Sequence, residues 1–208
     1  MKLYFSIIKI SQELLLAVSV VILAVLPSAL LLTPDWFTGQ RIALLYFAAH
    51  LSLFFVMLIR PLADLFKEIT WIRPLVILRK GMGVFSAAII VSFILEKIMI
   101  DGVGYFTSMF EASYWSLSTL AFFAHIADIS AILLLITSNN LSKKLLGKNW
   151  KRIQRLSYVY FYGSGIYVWL ILDEVYVFYF LAIVTMATSL AWLRNHNYLF
   201  ITAKPQTS

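Results

Sequence analysis

Six stretches of this chain, at about 14–32, 42–59, 82–99, 115–136, 156–172 and 175–193, are made almost entirely of apolar residues. A helix rises about 1.5 Å per residue, so crossing a hydrocarbon layer about 30 Å thick takes about 20 such residues. In lipid the backbone must satisfy its own hydrogen bonds, which a continuous apolar run does as a helix. The sequence therefore predicts an all-α membrane protein, a six-transmembrane helix bundle forming one integral membrane domain over 1–208. The third run reaches full length only by passing Glu96 and Lys97, whose side chains can snorkel to the interface. Lys2 and Lys9 precede the first run as they would in a signal peptide, but the run is too long and lacks a small-residue cleavage site, so it reads as a retained helix.

Six spans leave seven segments outside the membrane, and the cations fall in alternate ones. Lys2 and Lys9 share a side with Arg60, Lys67, Arg73, Arg79 and Lys80, with the run Lys143, Lys144, Lys148, Lys151, Arg152 and Arg155, and with Arg194 and Lys204. Of the 17 Lys and Arg residues only Arg41 and Lys97 lie opposite, beside Asp35, Glu96, Asp101, Glu111, Asp173 and Glu174. Because basic loops stay cytoplasmic, both termini are expected in the cytoplasm of a bacterial inner-membrane-type protein. Anionic headgroups then account for the net charge of +7, with no nucleic acid as partner.

There is no cysteine, which excludes disulfides, thiolate-held iron–sulfur clusters and thiol catalysis. No phosphate-binding glycine loop, GxSxG elbow or HExxH is present, and no segment has room for a flavin or nicotinamide domain. Redox chemistry would have to take its electrons from a partner. Between spans two and three, Leu65, Phe66, Ile69, Trp71 and Ile72 recur at helical spacing, predicting an amphipathic interfacial piece. The stretch from Asp101 to Tyr114 reads as an aromatic loop at headgroup level, and that from Thr137 to Trp150 as a short, polar, basic one.

From Phe37 onward the chain resembles the ferric-reductase-like transmembrane family, most nearly the haem-b membrane subunit of the periplasmic methionine sulfoxide reductase system. The resemblance is carried by Phe37-Thr38-Gly39, by Arg60-Pro61-Leu62-Ala63, by Arg79-Lys80-Gly81-Met82-Gly83 and above all by TSNNLSKKLLGKNWKRIQRLSYVY from Thr137 to Tyr160. It implies a transmembrane electron-transfer subunit serving another membrane or redox protein. At the positions where the family places haem-ligating histidines stand Phe93, Gln154 and Tyr167, none a usual axial ligand of a b-type haem.

Two other histidines, His50 and His125, lie inside the second and fourth runs. If those helices start near Arg41 and Trp115, both fall about 13–15 Å from that surface by helical rise. In an up-and-down bundle these helices are diagonal neighbours, so one b-type haem could sit between His50 and His125. Asp128, one turn from His125, would orient its ring, and Gly163 and Gly165 would allow close porphyrin approach. The same residues also suit plain packing: a membrane histidine can hydrogen-bond to a facing helix, and small residues let helices approach. That reading makes the chain a haem-free accessory or assembly subunit of a larger membrane complex. A third reading centres a proton or ion path on Asp128.

Overall fold

The computed structural model describes residues 2–117 and 120–196; Lys204 and part of the fourth apolar run lie outside the described residues. All regular structure among them is helical: α1 (Lys2–Leu32), α2 (Gly39–Leu65), α3 (Ile72–Leu75), α4 (Leu78–Asp101), α5 (Val103–Ser108), α6 (Ala121–Thr137), α7 (Asn140–Leu146), α8 (Lys148–Ile153), α9 (Leu156–Ile171) and α10 (Val175–Asn195). Short 3-10 turns occupy Pro34–Trp36 and Ala112–Trp115.

Four helical stretches among the described residues are long and apolar enough to cross a membrane: Leu3–Leu32, Gly39–Leu65, Ile72–Asp101 and Val175–Asn195. A fifth is added if Ala121–Thr137 and Asn140–Leu146, which meet at a bend of 97°, count as one broken span. Six full-length spans were expected, and the shortfall has local causes. Leu120 takes a left-handed conformation, with φ of 55°, immediately before α6. That helix therefore starts at Ala121 rather than near Trp115 and has 17 residues. Helix α9 has 16, and beyond it Asp173 again has a φ of 55°. At helical rise the two reach about 26 and 24 Å.

Helix α4 forms the centre. It packs against α1, α2 and α6, and every residue from Ser86 to Ile94 is buried. Helices α2, α4, α6 and α9 form a ring, α10 fills the groove between α2 and α9, and α1 lies along α4. Leu14, Val21 and Val25 on α1 and Phe178, Met186 and Trp192 on α10 stand exposed. Apolar surface of this extent on membrane-length helices makes the chain an integral membrane protein.

Helices in lipid gain nothing from apolar burial against each other and associate by close packing instead. A Cβ on Gly163 would lie 3.0 Å from the Phe123 carbonyl oxygen of α6, and one on Gly165 would lie 2.8 Å from the Leu181 side chain of α10. Gly81 gives α4 the same intimacy with α1, where a Cβ would lie 3.1 Å from that of Leu15.

The connections are more ordered than their composition suggests. Asn139 accepts from the Ser142 backbone N–H at 2.7 Å and so caps α7, while Gly147, at φ of 49°, turns the chain into α8. The Trp150 indole then donates to the Thr137 carbonyl at 3.0 Å, tying α8 to the end of α6. The expected basic loop is thus two short helices folded back under the bundle. Likewise the aromatic stretch from Asp101 to Tyr114 contains α5 and the start of a 3-10 turn. Between α2 and α4 the expected amphipathic piece shrinks to the four residues of α3, because α2 continues through Pro61 to Leu65.

At this end of the bundle, which carries the basic run, the first and last helices meet. The Tyr4 hydroxyl donates to the Trp71 carbonyl at 2.8 Å, and Lys67 donates to Asn195 at 2.8 Å. Arg194 pairs with Glu68, whose carboxyl is held below the usual range by its own backbone N–H and by Arg194.

The glycine contacts rank two substitutions. Gly163→Ala, pressed against backbone, should cost about 1–3 kcal/mol by overpacking. Gly83→Ala, whose Cβ would meet only Val56 at 3.8 Å, should stay within about 0.5 kcal/mol. Thermal unfolding in detergent compares them; equal losses would show that α6 and α9 are not held this closely.

Candidate functional site

His50 lies in a buried stripe of α2 with Ala49 and Leu53. Its Nδ1 is 2.8 Å from the Tyr46 carbonyl one turn earlier, so this nitrogen carries the proton and donates. The lone pair is then on Nε2, which is buried without a hydrogen-bond partner. His125 is held differently. Its ring stacks on Tyr114 with centroids 3.4 Å apart and planes 12° from parallel, Trp115 meets it edge-on at 6.0 Å, and its Nδ1 is buried without a partner.

The equal depth expected of the two histidines rested on a helix starting near Trp115. With α6 starting at Ala121, His125 is about 6 Å along its helix, whereas His50 is about 16 Å along α2. Asp128 does not orient the His125 ring through Nδ1, which has no hydrogen-bond partner. The Lys97 charge on α4, a residue whose sequence context suggested only snorkelling, acts on both through space.

A porphyrin between α2 and α6 would need an open slot along these side chains. Tyr46, one turn from His50, is instead stacked on Phe93 with centroids 4.7 Å apart and planes within 5°. The space beside Gly163 holds Phe123 and Ala127, and that beside Gly165 holds Leu181. Tyr114 lies flat on His125. The surroundings of His50, His125, Asp128, Gly163 and Gly165 therefore do not fit a haem. Among the described residues no three His, Cys, Asp or Glu side chains converge as a metal site.

Of the three positions at which the resemblance would place haem ligands, Phe93 is buried in that aromatic stack and Tyr167 packs against the core. Gln154 ends α8 and lines a cavity of about 670 Å³ at the basic end of the bundle. Walls come from α2, α4, α6, α7, α8 and α9, and the cations among them are Arg60, Arg79, Lys80, Lys143, Lys151 and Arg155. Arg79 is fixed by donating its Nε to the Val56 carbonyl at 2.8 Å. That carbonyl adjoins Met57, whose own carbonyl Pro61 deprives of its helical donor. The inner wall is largely apolar, with Leu53, Val56, Val84 and Leu134, and includes Tyr160, whose hydroxyl shares a 2.9 Å hydrogen bond with Ser86.

Neither a family model, nor a curated protein, nor a solved structure matches this chain.

Ser86 and Tyr160 are both buried and join α4 to α9 across the bundle. In a double-mutant cycle of Ser86→Ala and Tyr160→Phe, unfolding from bilayer-like micelles should give a coupling of about 0.6 kcal/mol, the average for such bonds between membrane helices. Strict additivity would remove the bond from the account of the fold.

Proposed function

We propose that this chain is a ferric-reductase-like membrane protein that keeps the family's bundle without its haem and acts as an accessory or assembly subunit of a larger membrane complex. The observation that carries the reading is the fate of the three matched ligand positions. Phe93 is spent on a ring stack with Tyr46, Tyr167 on core packing and Gln154 on a cavity wall. Such contacts close the interior where a haem would sit, which favours an accessory role over electron carriage.

In this proposal six helices cross the membrane, with α6 and α9 as the short ones, and both ends lie on the cytoplasmic side of a bacterial inner membrane. The meeting of α1 and α10 on residues 67–71 supports an even number of crossings. The alternation of cations supports the orientation. Because the chain has no cysteine, single cysteines report sidedness directly. In intact cells a membrane-impermeant maleimide should label Glu111→Cys but reach Asn149→Cys only after permeabilisation; the reverse pattern would invert the topology.

The unpartnered nitrogens of His50 and His125 are what an electron-transfer reading would use. A dithionite-reduced minus oxidised spectrum of protein made under haem-replete conditions decides between the two. The accessory reading expects no b-type band. A band abolished by both His50→Ala and His125→Ala would replace it with transmembrane electron transfer through one haem.

A further inference from the structure

We infer that the cavity at the basic end is a binding site for a phosphate-bearing anion, with room for an apolar tail behind the phosphate. This goes beyond the accessory-subunit reading and does not depend on it. Six cations line the cavity and no Asp or Glu does. Among the described residues none of the six makes an ion pair, the salt bridge of this end being that of Arg194 with Glu68. Topological bias explains why basic residues gather on one side of a membrane protein, but not why these converge on one hollow. Lys144, Lys148 and Arg152, from the same basic run, lie outside its wall.

The neutral groups point the same way. The Gln154 amide nitrogen is buried and has no hydrogen-bond partner, so the wall carries a donor without an acceptor. Arg79 is anchored through Nε, which leaves its two terminal nitrogens to form the fork that phosphate oxygens accept. Behind these donors the wall turns apolar at Leu53, Val56, Val84 and Leu134. A cavity of about 670 Å³ is of ligand size. Cationic donors backed by apolar wall match a phospholipid headgroup with the start of its chains; a soluble phosphorylated molecule would use the donors alone.

Native mass spectrometry of the whole protein in detergent tests this with three probes: phosphatidylglycerol, phosphatidylcholine and inorganic pyrophosphate. The expected result is one retained phosphatidylglycerol, bound at least tenfold more tightly than phosphatidylcholine. Lys80→Gln combined with Arg155→Gln should lower that affinity at least tenfold. Lys144→Gln combined with Lys148→Gln, an equal loss of charge outside the cavity, should leave it within twofold. All four side chains are exposed, so neither pair removes a packing contact, and a folded charge-state distribution is required of both. Pyrophosphate that binds alone, with the same dependence on Lys80 and Arg155, would support the phosphate site and assign it to a soluble ligand. Equal loss in both pairs, or binding of none of the probes, would overturn the proposal.

Discussion

Nine consecutive residues of α4, from Ser86 to Ile94, are buried on every side of the helix, and the rest of the bundle is arranged to enclose them. A helix enclosed all round must have neighbours on every face, and α1, α2 and α6 supply them directly. The composition of the stretch suits that position. Ser86, Ala87 and Ala88 bring neighbours close, and Ser86 and Ser92 use their hydroxyls on Tyr160 and on the Ala88 carbonyl, leaving no polar atom wasted. The ring closes on the far side through α9, which sits against α6 and α10 by having no side chain at Gly163 and Gly165.

That way of closing the ring determines what the interior can hold. Small residues along facing helices have two uses, a planar cofactor or a neighbouring backbone, and they cannot serve both at once. Here the facing atoms are Phe123, Ala127 and Leu181. A ligand-sized cavity among the described residues lies instead at the basic end, where α7 and α8 fold back under α6 and the bundle opens. The cationic side chains that line this cavity therefore gather at an edge of the membrane domain.

The helices were legible because long apolar runs admit few other structures. Their ends were not. Nothing near Trp115 announces that Leu120 will turn left-handed, and that one residue removes a turn and a half from the expected fourth span. Residues 139–147 did carry readable signals, an Asn before the helix and a Gly after it, but their charge made them look like loop. The six cavity cations were visible individually. Their convergence was not, since it depends on segments from Arg60 to Arg155 meeting in space. His125 shows the same limit: Tyr114, eleven positions earlier, reaches its face only because the chain doubles back between them.

Residues 67–71 touch both α1 and α10, and this sets an order on biosynthesis. Helices emerge from the ribosome in sequence, so α1 can settle on α4 and Tyr4 on Trp71 while the later helices are still being made. The contacts from Lys67 and Glu68 must wait for Asn195 and Arg194, at the very end of the last helix. Until then the groove between α2 and α9 that α10 fills is open to lipid. Closing of the bundle must thus wait for α10, and until then the segment 67–71 is joined to only one of its two partners.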